Sequence, residues 1–161
     1  MATLLGTTLD GELFERLAGH GPARHRTLVL PLCTVDPDGW PHVALLSPTE
    51  IVAIDPATLR AALYADSRTT AYLRQTGRAT LLVFDAGLAC YLKLRAEELP
   101  QRIAATPWNA VFELRVEQVL ADAAGAEREG RATIAGGVTF DPDPAHEQTR
   151  AAVLAALRAG G

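Results

Sequence analysis

Short apolar runs separated by turn residues fill the middle of this chain, whereas apolar positions at helical spacing lie mainly towards its two ends. Leu28-Val29-Leu30-Pro31-Leu32-Cys33-Thr34-Val35 reads as a strand, and Pro31, which cannot donate to a ladder, suits an edge or a bulge. Asp36-Pro37-Asp38-Gly39 has the residue order of a type I turn, so Trp40-Pro41-His42-Val43-Ala44-Leu45-Leu46-Ser47 pairs with that strand as a hairpin. Further strands are predicted at 50–54, 59–65, 78–84 and 88–95, the last two joined by Asp85-Ala86-Gly87. From 111 to 120 apolar and polar positions alternate strictly, the pattern of a long strand with one dry face.

Helical spacing appears at Leu9, Leu13 and Leu17, with Asp10 as N-cap and a stop at Gly19 or Gly21, and this predicts a helix at about 9–18. Val153, Leu154 and Leu157 predict another at 145–158, introduced by Asp141-Pro142-Asp143-Pro144. A short helix beginning near Pro100 is expected within 96–105, a loop at 121–130, and a weaker strand at 132–140 with Gly136-Gly137 inside it. So many short strands with few helices point to a mainly β (α+β) antiparallel barrel or sandwich at about 27–140. A parallel sheet would need more crossover helices. With no internal repeat and no long linker, 1–161 is expected to form one domain.

Composition narrows the function classes. Of 161 residues, 48 % are apolar and 21 % charged, which suits a folded globular chain. A formal charge of −4 leaves no basic stripe, so nucleic acid is not the expected partner. No window approaches the ~18 to 20 apolar residues of a spanning helix, and Met1-Ala2-Thr3-Leu4-Leu5-Gly6 lacks the pattern of a signal peptide. The expectation is a cytoplasmic protein without membrane contact. Cys33 and Cys90 lie inside strand-like runs and read as buried thiols. His20, His25 and His146 show no metal-ligand spacing, so no metal is expected. A Ser47-His42-Asp triad lacks a nucleophile elbow, and the catalytic residues stay unknown. His42 beside Pro41 and Trp108 after Pro107 are read first as packing or interface residues.

One stretch carries specific chemistry. In Tyr64-Ala65-Asp66-Ser67-Arg68-Thr69-Thr70-Ala71-Tyr72-Leu73-Arg74-Gln75-Thr76-Gly77 a strand runs into a short helix. A helix start presents unpaired N–H groups and partial positive charge, and there Ser67 and Thr70 supply hydroxyls and Arg68 a fork for phosphate oxygens. The plainer reading is that Ser67 is only an N-cap and Gly77 only a stop.

The 40–47 strand and the segment Ala65-Asp66-Ser67-Arg68-Thr69-Thr70-Ala71-Tyr72-Leu73-Arg74-Gln75-Thr76-Gly77-Arg78-Ala79-Thr80-Leu81 together resemble the pyridoxamine 5'-phosphate oxidase-like, flavin-binding split-barrel superfamily. There a Ser-Arg/Lys-x element follows a barrel strand, a leucine falls within the helix, and an Ala-x-Leu strand comes next, in the order and spacing found here. The resemblance covers roughly 25–95, a little under half the chain. It implies a homodimer of six-stranded antiparallel split β-barrels with flanking helices and FMN at the subunit interface. By the same resemblance Ser67, Arg68, Thr69 and Thr70 face the FMN phosphate, and Val43, Ala44, Leu45, Leu46 and Ser47 run beside the isoalloxazine. Tyr91 and Lys93 approach the flavin of the other subunit.

The chain also departs from the namesake oxidases. Ser47 and Thr69 stand where those carry lysines, and the C-terminal stretch around Ala155-Ala156-Leu157-Arg158 offers nothing comparable to their Arg-x-His substrate motif. The resemblance therefore implies a divergent FMN-dependent oxidoreductase acting on an unidentified small molecule. The alternative is a non-enzymatic module holding flavin, haem or deazaflavin in the same cleft.

Overall fold

The computed structural model describes residues 2–122 and 132–159. Its strands are β1 (Ala2–Gly6), β2 (Leu30–Val35), β3 (Pro41–Leu46), β4 (Ile51–Asp55), β5 (Thr58–Tyr64), β6 (Arg78–Asp85), β7 (Leu88–Leu99) and β8 (Asn109–Asp122). Three helices accompany them: α1 (Gly11–Leu17), α2 (Arg68–Thr76) and α3 (Glu147–Ala159). The strands form one sheet in the order β3-β2-β6-β7-β8-β5-β4, and β1 continues the edge of β8 that β5 occupies. All the pairings are antiparallel. The two end strands, β3 and β4, follow one another in the chain through the turn 47–50, with no ladder between them among the described residues. The fold is thus an antiparallel split barrel of the α+β class.

Alternation along the strands places the core. Leu30, Leu32, Leu59, Leu81, Leu92, Leu94, Phe112 and Leu114 point inward and are wholly buried, and Leu13 and Leu17 of α1 join them. β4 is different, because Ile51, Val52 and Ala53 are all buried. Ile51 and Ala53 face the barrel interior, while Val52 packs with Val111, Val153 and Leu157 beneath α3. A helix over the outer surface of β4 and β5 explains why that strand reads as a continuous apolar run. No helix of the described residues is long and apolar enough to cross a membrane.

Four features differ from the sequence expectation. Eight strands, rather than six, occupy the described residues. The added β1 is exposed along most of its length and follows the unpaired edge of β8, so no apolar alternation marks it. Residues 96–105 contain no helix: β7 continues to Leu99 because Glu97, Glu98 and Leu99 find partners in Glu113, Phe112 and Val111 of the long β8. Within 132–140 only one ladder bridge forms, between Leu28 and Thr139, so this segment is an extended strap rather than a strand. Of the loop expected at 121–130, Ala121 and Asp122 belong to β8, and the rest lies outside the described residues.

Candidate functional site

α2 is held by its own hydroxyls. Ser67 has extended backbone and its Oγ accepts the Thr70 N–H at 3.2 Å, an N-cap. The Ser67 hydroxyl donates in turn to Thr70 Oγ1 at 3.2 Å, and the Thr70 hydroxyl donates to the Tyr64 carbonyl at 2.7 Å. At the other end Gly77 takes a left-handed conformation (φ 62°) and its N–H closes on the Leu73 carbonyl. Arg74 makes a bidentate pair with Glu98 of β7 at 2.6 and 3.0 Å and also donates to the Ala65 carbonyl. That pairing holds the Glu98 carboxyl below the usual range and fixes the helix on the sheet.

These bonds decide which groups face outward. Thr70 is wholly buried, so two of the four residues expected at a phosphate, Ser67 and Thr70, spend their hydroxyls on the helix start itself. Thr69 is buried as well. Arg68 is exposed and has no ion pair or hydrogen bond among the described residues. The Arg68 and Thr69 amides precede the first helical bond, Ala71 N–H to the Ser67 carbonyl, and are without backbone partners. One guanidinium and two amides are what this start offers an anion, with Asp66 exposed in the same turn.

β3 supplies a different surface. As the terminal strand it has one backbone edge without a ladder partner among the described residues. Val43 and Leu45 point outward, 50 % and 69 % exposed, while Ala44 and Leu46 face inward. Ser47 is turned into the 47–50 corner, where its N–H and its hydroxyl both donate to Glu50 Oε2 at 2.8 and 2.7 Å. His42 also faces α2, its ring edge-on to Tyr72 at 5.2 Å.

Register extends the outward face across the sheet. Val43, Cys33, Thr80, Lys93 and Gln118 form one row over β3, β2, β6, β7 and β8. Leu82, Tyr91, Leu120 and Leu4 form a second row on the same face. Tyr91 and Lys93 therefore share a surface with Val43 and Leu45, whereas Ser67, Arg68, Thr69 and Thr70 lie at the start of α2. The Tyr91 hydroxyl donates to Asp122 at 3.0 Å, which raises its pKa. Cys33, Thr80, Leu82 and Gln118 escape a reading of motifs, because strand pairing alone brings them beside Val43 and Lys93.

An exposed apolar strand face and a helix start with unspent donors are the two surfaces that a ligand joining a flat ring to an anionic group would use. A family model described as Pyridoxamine 5'-phosphate oxidase matches residues 23–155. The chain belongs to that family. The uncharacterised protein YclD of Bacillus subtilis (strain 168) is 35 % identical over 118 residues, which are 72 % of this chain and 75 % of that protein. Solved structures of the same fold include a presumed pyridoxamine 5'-phosphate oxidase from Lactobacillus delbrueckii, with TM-score 0.58 and 21 % identity over 74 % of this chain and 98 % of that one. An FMN-binding protein from Syntrophomonas wolfei follows at TM-score 0.55 and 17 % identity over 72 % and 90 %. The haem storage protein HutZ of Vibrio cholerae has TM-score 0.50 and 16 % identity over 65 % and 93 %. Membership in the oxidase family thus rests on sequence, and the shared fold is common to proteins with different cofactors.

Proposed function

We propose that the chain, acting as one domain over 1–161, binds FMN in a cleft between two copies of itself and serves as a cytoplasmic oxidoreductase for a small molecule. The observation that carries this reading is Arg68, exposed and without a side-chain partner among the described residues at the start of α2, in a chain of the oxidase family. Bound FMN would supply the electron-transfer chemistry. The chain's own part is positional. Arg68 with the Arg68 and Thr69 amides takes the phosphate; Ser67 and Thr70 hold that helix start rigid; Val43, Leu45 and the free edge of β3 line the ring. Tyr91 and Lys93 reach the ring of the opposite copy, and Ala44, Leu46 and Ser47 keep the wall in place from behind.

A non-enzymatic module for flavin, haem or deazaflavin is the second reading of the same cleft. Haem is the weakest of these, since the half-buried His42 imidazole is packed against Tyr72. Equilibrium titration with FMN and with riboflavin tests the phosphate assignment. FMN should bind more tightly, and Arg68→Ala should weaken FMN about 10- to 150-fold, the value of a charge-assisted contact of about 1.5 to 3 kcal/mol, with riboflavin unaffected. Equal affinity for the two flavins contradicts the assignment. Reduction of bound FMN by a nicotinamide donor separates enzyme from storage module.

A further inference from the structure

A cavity of about 330 Å³ opens where the turn after β3 meets α3 and the strap. Pro48, Phe140 and Leu154 give it apolar walls, and Arg26 and Arg150 bring positive charge. The two arginines are not equivalent. Arg150 is already committed, donating to Glu147 at 2.8 Å and to the Asp143 carbonyl at 2.9 Å. Arg26 has no ion pair or hydrogen bond among the described residues, so it is the unspent charge of the cavity. A mostly apolar concavity of this size with a few polar groups, here Thr27, Thr49, Glu147 and the two arginines, is the usual form of a small-molecule pocket.

We propose that this cavity takes a small apolar monocarboxylate, its charge on Arg26 and its hydrocarbon part against Phe140, Pro48 and Leu154. A single free guanidinium matches one carboxylate in a bidentate pair, and Glu147 at the rim opposes a dianion such as phosphate. The cavity adjoins the turn that ends β3, the strand assigned to the flavin ring, which makes the carboxylate the substrate class of the proposed site; this last step rests on the FMN reading, whereas binding itself does not.

Ligand-observed NMR and calorimetry on the whole chain, with and without added FMN, test the proposal with benzoate, hexanoate, neutral benzamide and inorganic phosphate as probes. Benzoate or hexanoate should bind, with benzamide and phosphate at least about tenfold weaker. Arg26→Ala should bring benzoate down to the benzamide level while leaving FMN affinity unchanged. Ala151→Trp, on the exposed side of α3 that lines the cavity, should block both carboxylate probes by filling it. Failure of both carboxylates to bind, benzamide binding as tightly as benzoate, or an indifferent Arg26→Ala variant would overturn it. Carboxylate binding by a chain that takes up no FMN would uphold the pocket and sink only its assignment as the substrate site.

Discussion

At the scale of single residues, the buried cluster of Arg16, His25 and Asp85 sets how the protein responds to acid. Arg16 Nε donates to Asp85 at 3.0 Å, and His25 Nε2 lies 3.5 Å from the same carboxylate, yet neither imidazole nitrogen has a hydrogen-bond partner among the described residues. Burial lowers the His25 pKa from its ordinary 6.5, and Arg24 and Arg16 add to this against the opposing pull of Asp85. The unfolded chain then binds a proton before the folded one does. Stability is fully present above about pH 6.5 and is lost as pH falls from there towards the folded-state value. Burial pushes Asp85 up, but the Ala86 N–H and Arg16 outweigh it and leave its pKa below 3.8, so its own loss comes at lower pH. Thermal unfolding between pH 7 and 5 should therefore show an acid-side decline that His25→Leu flattens. An equal decline in the variant contradicts the role of His25. This cluster was invisible in the sequence because Asp85 is 69 residues from Arg16. The Ser67 cap, by contrast, was legible, since all its partners lie within a few residues.

At the scale of elements, the strap at 132–140 shows where pattern reading fails. Its backbone is tied to the barrel by Val29 N–H to Val138 carbonyl, Phe140 N–H to Thr27 carbonyl and Gly87 N–H to Ile134 carbonyl. Most of its side chains are exposed, so nothing in their polarity announces the contact. Gly137 is what permits it: a Cβ there would lie 2.1 Å from the Phe84 carbonyl oxygen and 2.8 Å from Leu28 Cδ2. Gly137→Ala should force the strap off, lowering stability by about 1 to 3 kcal/mol and exposing the Val29 and Gly87 amides to hydrogen exchange. Unchanged protection at both amides would show that the strap does not depend on this close approach. Strands with a dry inner face, such as β6 and β8, were legible from alternation, whereas β1 and the end of β7 take their form from the length of β8.

At the scale of the whole molecule, the outer sheet face leaves Val35, Val43 and Leu45 between 47 % and 69 % exposed, an apolar strip that a lone copy gains nothing from displaying. A second copy is the occupant that the family resemblance implies, and Leu45→Glu should convert a dimer to monomer in sedimentation velocity, with FMN affinity falling alongside. A variant that stays dimeric and binds FMN normally would remove this face from the account. The fold class was legible because strand alternation and turn residues agree over most of the chain, and the α2 start was legible as a motif. Which hydroxyls remain free to meet a ligand was not, since that depends on the Thr70 bond to Tyr64. The most direct measurement is titration of the purified chain with FMN, followed by gel filtration and absorbance of the protein peak. A yellow dimer retaining one FMN per chain is expected, and a peak that stays colourless at saturating FMN contradicts FMN binding.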